Sequence, residues 1–489
     1  MKTVFLSVLS IVVSSALGST PLLTAAPSTA GEPLSTQSEE TLTDRYREAA
    51  GRILGAALQD VEGWEKVTHL TTEIGHRLSG SSALERAIEW TYARMKAEGL
   101  ENVRLQPVKV PHWVRGKEYA EVVSPFAKPF GILGLGGSIG TPPEGITASI
   151  VVARSFDELE ALGREKVEGK MVLYAPPWMD YSRNVAYRRA GASRAAKLGA
   201  VAALVRSVTD RSLYTPHTGS MQYADDIPRI PTAAVTVEDM RWMQRMRKAG
   251  NEVEVKLYME AKNLPEADSA NVIVEIVGSE KPEEIVVMGG HYDSWDVGQG
   301  AHDDGAACIA AWQALKILKD LGLRPRRTLR VVLWTNEENG LGGARAYRAL
   351  VGDDIGNHVA AIEMDGGVEK PIGFGFGLEG VDPEDKSNPT YEVALEKLRQ
   401  IGRLLDGINA GQIQRGGGGA DITPLIQDGV PGLAARNVHY IYRDIHHTHA
   451  DTLDKVDPQD FRQNIGILAV MGYVLADMPG RLIPAEANK

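Results

Sequence analysis

Residues 285–296 read Ile285-Val286-Val287-Met288-Gly289-Gly290-His291-Tyr292-Asp293-Ser294-Trp295-Asp296. The apolar run from Glu284 to Met288 is rich in β-branched residues and reads as a strand. His291 and Asp293 therefore emerge at a strand's C-terminal end. The same rhythm continues on both sides. Val272 to Val277 reads as a strand, and Gly305 to Leu321 as a helix closed by Gly322 and Pro325. Leu329 to Trp334 and Val359 to Ile362 read as further strands. Strands alternating with helices predict an α/β fold, with a mostly parallel central sheet and helices on both faces. In such sheets the active site lies outside the carboxyl ends of the strands. The sequence holds no internal repeat.

Toward the N-terminus the pattern changes. Glu40 to Leu100 reads as helical. Its clearest helix opens at Ser82 with Glu85 three residues on, a capping box, and carries Leu84, Ile88, Tyr92 and Met95 on one face. Glu101 to Ser124 alternates through Val103, Leu105, Val108 and Val110 and reads as strands. Phe130 to Pro143 is rich in Gly and Pro and marks a boundary. Short strands follow (150–152, 171–174, 202–205 and 232–235), with a helix from Val185 to Leu198 among them. This region has no dense cluster of His, Asp and Glu and reads as a substrate-gating or partner-binding appendage. Residues 1–26 have a cationic start and an apolar core from Val4 to Leu17, the form of a signal peptide cleaved after Gly18 or near Ala25-Ala26. Residues 27–40 read as a flexible leader. The expected division is then 41–125 as the first part of a catalytic domain, 126–264 as an insertion and 265–489 as the second part. A secreted or periplasmic protein without a membrane anchor is expected.

Composition narrows the function. The chain has 489 residues, 43% hydrophobic and 24% charged, which excludes a mostly disordered chain and a multi-span membrane protein. A net charge of −11 argues against nucleic acid and anionic membrane surfaces as partners. The single cysteine, Cys308, excludes an internal disulfide framework and a cysteine-rich zinc fold. Any metal must be held by His, Asp and Glu.

Five short clusters carry those residues. The first is 289–296, with His291 and Asp293. A carboxylate two residues from a ligating His is placed to accept the imidazole's other N–H. The second is His302-Asp303-Asp304 ahead of a helix, where paired carboxylates gain from the helix dipole and a dication relieves their repulsion. A plain acidic N-cap would look the same. The third is Asn336-Glu337-Glu338-Asn339, whose two glutamates point in different directions off an extended chain. One is free to bind metal while the other faces a water, although a solvated acidic turn also fits. The fourth, Asp365-Gly366-Gly367, is an ordinary turn signal by itself. The fifth is His446-His447-Thr448-His449-Ala450-Asp451, a histidine tract of the metal-binding kind. Five of the eleven histidines fall in these stretches, so the clusters argue together for one site. Imidazole plus carboxylate, with no thiolate, suits zinc or another divalent transition metal.

The order His291, Asp303, Glu337-Glu338, Asp365, His447 resembles the dinuclear-zinc exopeptidase family that includes bacterial leucyl aminopeptidases and plasma glutamate carboxypeptidase. Within it, the runs 290–300 and Gly322-Leu323-Arg324-Pro325 are similar to the carboxypeptidase Q group. The resemblance spans nearly all of the mature chain. It implies a zinc exopeptidase (phosphorylase/hydrolase-like) fold, with the middle region as an inserted protease-associated domain. It also implies two zinc ions per chain, with other divalent transition metals allowed. Asp303 would bridge the two ions. His291 and Asp365 would complete one site, and Glu338 and His447 the other. His447 is preferred to His446 and His449 because the family's ligand stands four residues before the Asp of an Asp-Thr pair, here Asp451-Thr452. Glu337 would be the general base, Asp293 would orient His291 from behind, and the Asp303-Asp304 peptide would be cis. A homodimer is compatible with the resemblance.

The expected activity is hydrolysis of small unblocked peptides, of carboxypeptidase or dipeptidase type, with an aminopeptidase as the alternative. An acyl-amino-acid amidohydrolase uses a similar ligand set, but its lid usually follows the glutamate pair, whereas here the insertion precedes His291. Arg436, with Asn437 and Tyr440 beside it, offers a planar fork for a substrate carboxylate. A surface ion pair is the competing reading of Arg436.

Overall fold

The computed structural model describes residues 40–484. The expected signal peptide, and the leader up to residue 39, lie outside the described residues. The first sheet has eight strands in the order 101–114, 262–276, 327–334, 281–291, 358–363, 432–437, 371–377, 412–415. Its centre is parallel: Arg327–Trp334, Lys281–His291, His358–Glu363 and Gly432–Asn437 all run the same way. The first three are buried along most of their length, which is why they read as apolar runs, while Gly432–Asn437 is only partly buried. The flanks are mixed, because Lys262–Ile276 and Pro371–Gly377 each run antiparallel to their central neighbour.

Helices cover both faces, as the α/β pattern requires. On one face Ala306–Asp320 packs with Pro458–Asp477 and Leu42–Leu58. Twelve of the fifteen residues of Ala306–Asp320 are buried, so this helix is core nearly all round and its alanines let it lie close to the sheet. On the other face Gly342–Val351 lays Tyr347 and Val351 over Trp334 and Ile273. The helix expected to open at Ser82 runs Ser82–Ala97, with Ser81 as its cap: the Ser81 hydroxyl accepts the Leu84 N–H at 3.2 Å. Two serines stand in succession, and the one with extended backbone takes the cap.

A second eight-stranded sheet is built between residues 118 and 259, in the order 128–130, 118–124, 254–259, 146–153, 171–174, 202–206, 232–235, 132–134. The chain leaves and re-enters the first sheet at paired strand ends, Val114 opposite Lys262. Glu118–Ser124, which the sequence reading placed with the first part of the chain, pairs with Glu254–Met259 in this second sheet. Alternation alone does not tell which sheet a strand joins. The core under this sheet takes in Trp295 and Val297 from the loop beyond His291. Gly136 makes that fit, because a Cβ there would stand 2.1 Å from the Trp295 ring. Among the described residues no helix is long and apolar enough to cross a membrane.

Candidate metal centre and catalytic cavity

Three adjacent parallel strands deliver the chemistry at their C-terminal ends. His291 closes Lys281–His291 and stands opposite Trp334, the last residue of Arg327–Trp334. Glu337 and Glu338 follow Trp334 by a tight turn, and Asp365 follows His358–Glu363 by two residues. Asp303 lies in the turn Ala301–Gly305 that opens Ala306–Asp320, and the Asp303-Asp304 peptide is cis. His447 follows the short helix Tyr442–Ile445 with φ of +61°, a left-handed conformation that a histidine rarely adopts.

These residues converge in two trios that share Asp303: His291, Asp303 and Asp365, and Asp303, Glu338 and His447. Within each trio the donor atoms lie within 4.8 Å of one another. Asp303 turns one oxygen to each side. Its Oδ1 is 3.1 Å from His291 Nε2, and its Oδ2 is 3.2 Å from His447 Nε2. Asp365 Oδ1 stands 3.7 Å from His291 Nε2, and Glu338 Oε2 3.2 Å from His447 Nε2. No lysine or arginine pairs with these carboxylates among the described residues. Glu338 Oε1 is buried without a hydrogen-bond partner. Three carboxylates face two imidazoles in a mostly buried site, so negative charge stays uncompensated, and a divalent cation removes that cost. Two imidazoles and three carboxylates are the donor chemistry for such an ion.

The electrostatics agree. Burial opposes charge on Asp303, yet hydrogen bonds from His291 and His447 outweigh it and hold the carboxyl well below its ordinary range. Burial likewise works against charge on His291, but Asp303 and Asp365 raise that imidazole well above its usual value. Burial lifts Glu338 to about 7 and Glu337 well above the ordinary carboxyl range. A cation entering here displaces protons, so its binding is linked to pH.

The supporting contacts differ from expectation at Asp293. The sequence reading gives its carboxylate to His291. In the structure the backbone carbonyl of Asp293 lies 3.0 Å from His291 Nδ1, while the nearer carboxylate oxygen is 3.8 Å away. The carbonyl fixes the proton on Nδ1 and leaves Nε2 toward the trio. The freed carboxylate reaches the next strand's turn and accepts the backbone N–H groups of Glu337 at 2.9 Å and Glu338 at 3.3 Å. It also accepts the Ser79 hydroxyl at 3.2 Å. Asp293 thus holds the glutamate pair.

Further residues support the centre without having stood out in the sequence as supports. Asp304 accepts the His291 backbone N–H at 3.0 Å. Asp451 accepts the N–H groups of His302 at 2.8 Å and Asp303 at 3.2 Å. Thr218, from the region of the second sheet, brackets His447. Its N–H donates to the His447 carbonyl at 3.0 Å, and its carbonyl lies 3.3 Å from His447 Nδ1. Of the remaining clustered histidines, His302 bonds Lys455 O and the Val368 N–H, His446 stacks on Tyr442, and His449 is exposed. None of these three joins a trio.

The centre forms the floor of a cavity of about 780 Å³. Glu337 lines it and belongs to neither trio. Arg436 and Asn437 also line it. Arg436 is exposed and forms no ion pair with the described residues, so the surface-pair reading is not what the structure displays. Asn437 donates to Gly367 O at 2.6 Å. Tyr440 is not brought in: it is 56% exposed, lies outside the cavity lining, and its backbone N–H is held by Glu369. Tyr181, Arg188 and Met221, from the region of the second sheet, line the same cavity.

The sequence model of Peptidase family M28 matches residues 271–471. Carboxypeptidase Q of Bos taurus is 47% identical over 415 residues, covering 85% of each chain. Carboxypeptidase Q of Homo sapiens is 46% identical over 415 residues, again 85% of each chain. Among solved structures, a peptidase M28 precursor from Shewanella amazonensis SB2B superposes with a TM-score of 0.83 at 31% identity, covering 90% of this chain and 99% of that one. A zinc aminopeptidase from Bacillus subtilis superposes with a TM-score of 0.63 at 17% identity, covering 85% of this chain and 94% of the other, a likeness of fold.

Proposed function

This chain belongs to peptidase family M28, alongside carboxypeptidase Q, and is a metallo-exopeptidase; from that premise we propose a secreted or periplasmic zinc enzyme that removes C-terminal residues from unblocked dipeptides and short peptides. The observation that carries this reading is the pair of trios sharing Asp303, with Glu337 beside them as the remaining carboxylate among the cavity's lining residues. His291, Asp303 and Asp365 would hold one zinc ion, and Asp303, Glu338 and His447 a second. When bound, the ions supply Lewis-acid polarisation of the scissile carbonyl and acidify a water. Glu337 takes the proton released at that water and delivers it to the leaving amine. Asp293 keeps Glu337 and Glu338 in register through their backbone N–H groups. No covalent intermediate is required.

Arg436 supports a carboxylate-directed site, as an unpaired guanidinium on the cavity wall. We assign the second sheet and its helices, residues 118–259, to a protease-associated type of insertion whose helix Tyr181–Lys197 borders the cavity. The apolar run at 4–17 supports export.

The test is digestion of an unblocked tripeptide with three distinct residues, followed by mass spectrometry with and without a chelator. Early release of the C-terminal residue, abolished by the chelator and restored by zinc, is the expected result. Early release of the N-terminal residue would replace this reading with the aminopeptidase. Cleavage that survives complete metal removal would overturn the metal site itself.

A further inference from the structure

We infer that Arg77 is a positioning residue of the metal centre: its guanidinium gathers the two ends of the loop 292–300 and thereby sets the spacing of His291 and Asp303. The proposal rests on the metal-centre reading above.

Arg77 stands between the turn Leu70–Ile74 and the helix Ser82–Ala97, far in sequence from every candidate ligand. It is fully buried, at 0% exposure. Its side chain bonds four backbone carbonyls. Nε donates to Tyr292 O at 3.0 Å, Nη1 to Gly75 O at 2.7 Å and Gln299 O at 2.9 Å, and Nη2 to Gly300 O at 2.9 Å. A guanidinium offers five N–H donors in a rigid plane and no acceptor, so one group can hold carbonyls on several sides at fixed angles. Burying an always-charged group against carbonyls alone costs stability, which a loop in need of mere closure does not demand.

The bonded carbonyls identify what is being held. Tyr292 follows His291 directly, and Gly300 stands three residues before Asp303. Two ligands of the trio His291, Asp303 and Asp365 are thus fixed from one point. The backbone of Arg77 takes part as well. Its N–H donates to Ser294 Oγ at 3.0 Å, and its carbonyl accepts the Ser294 N–H at 3.2 Å. The middle of the loop is anchored elsewhere, by Trp295 and Val297 in the core under the second sheet. Space is kept for the fork, since a Cβ on Gly300 would stand 3.0 Å from Nη2 and one on Gly305 2.8 Å. Zinc bonds of about 2.0–2.2 Å at a tetrahedral angle put neighbouring ligand atoms about 3.4 Å apart. His291 Nε2 and Asp303 Oδ1 already lie 3.1 Å apart, close to that value, and a slackened loop would lose it. Glu338 and His447 are held from other points, by Asp293 and Thr218.

The experiment measures zinc affinity of the full-length protein by competition with a chromophoric chelator, beside the urea midpoint and dipeptide turnover. Arg77→Lys keeps the charge and loses the fork. It should weaken zinc binding about 10–100-fold, with turnover restored by excess zinc. A variant with unchanged zinc affinity and only a lower urea midpoint would make Arg77 a brace of the fold alone, and would overturn the proposal. If Arg77→Lys does not fold, Gly305→Ala decides. It keeps the arginine and crowds Nη2 off the Gly300 carbonyl, so zinc should again bind more weakly, and unchanged affinity there overturns the proposal too. A wild type that binds no zinc would instead remove the metal-centre reading beneath it. Tight zinc binding in wild type and in Arg77→Lys alike would leave that reading standing and sink Arg77 alone.

Discussion

Asp293→Asn isolates the step on which the catalytic turn depends. The side chain is fully buried, and its carboxylate accepts two backbone N–H groups, from Glu337 at 2.9 Å and Glu338 at 3.3 Å. The amide is the same size, but it keeps one acceptor oxygen and turns an NH2 group toward the second N–H. One hydrogen bond to a charged group is lost and a buried donor is left unpaired, together about 2–3 kcal/mol. If that cost falls on the placement of Glu337 and Glu338, kcat/KM on a dipeptide should drop about 30–150-fold. Zinc retention after dialysis should fall as well, because Glu338 is drawn away from His447. His291 should not be disturbed, since the Asp293 backbone carbonyl holds its Nδ1 at 3.0 Å and the substitution leaves that carbonyl in place. The assay is therefore threefold: steady-state kinetics, zinc content, and nitrogen NMR of the labelled imidazoles. Activity within threefold of wild type with full zinc content would refute the reasoning. So would a change in the His291 tautomer, which would return the carboxylate to the role expected from its spacing.

Two further outcomes follow from the same geometry. Glu337→Gln should keep its zinc, because Glu337 belongs to neither trio, and lose at least about 10²-fold in turnover; near-normal turnover in the zinc-loaded variant would remove Glu337 as the base. Away from the site, His358 is buried neutral against the Tyr347 hydroxyl at 2.9 Å, and burial, followed by the charges of Arg330 and Arg348, pulls its pKa down to about 3. Its folded value lies below the unfolded value of about 6.5, so its contribution is complete above about pH 6.5 and is lost as pH falls toward 3, about 2 kcal/mol by pH 5. Urea unfolding at pH 7 and pH 5 should show a smaller pH effect in His358→Gln than in wild type, and an equal effect would contradict this origin.

The candidate metal centre was legible in the sequence because its physics is local. Strands buried on both faces appear as unbroken apolar runs, and a polar cluster directly after such a run sits at a strand's C-terminal end. His291 and Glu337-Glu338 follow such runs, while Asp365-Gly366-Gly367 reads by itself as an ordinary turn, so the clusters mark a site only when taken together. Other features are decided by partners distant in the chain. The antiparallel course of Lys262–Ile276 leaves no mark in its own residues, since the same apolar pattern serves either direction. The helices Phe156–Val167 and Val237–Lys248 bury few apolar side chains, Leu159 and Val167 in the first and Val237, Met240 and Met243 in the second. At Asp293 the residue was identified, but spacing could not say whether its carbonyl or its carboxylate meets the imidazole. Arg188 and His447 are 259 positions apart, and only the folded chain puts them side by side. Tyr440 shows the converse: it lies near Arg436 in sequence, yet the turn held by Glu369 leaves its ring in solvent.

The proposed activity depends on Asp303 joining two ion sites in one cavity. Anomalous diffraction at the zinc edge from zinc-loaded crystals tests it most directly. Two peaks per chain are expected, one among His291, Asp303 and Asp365 and one among Asp303, Glu338 and His447. A single peak, or peaks that leave Asp303 without a metal contact, would contradict that arrangement.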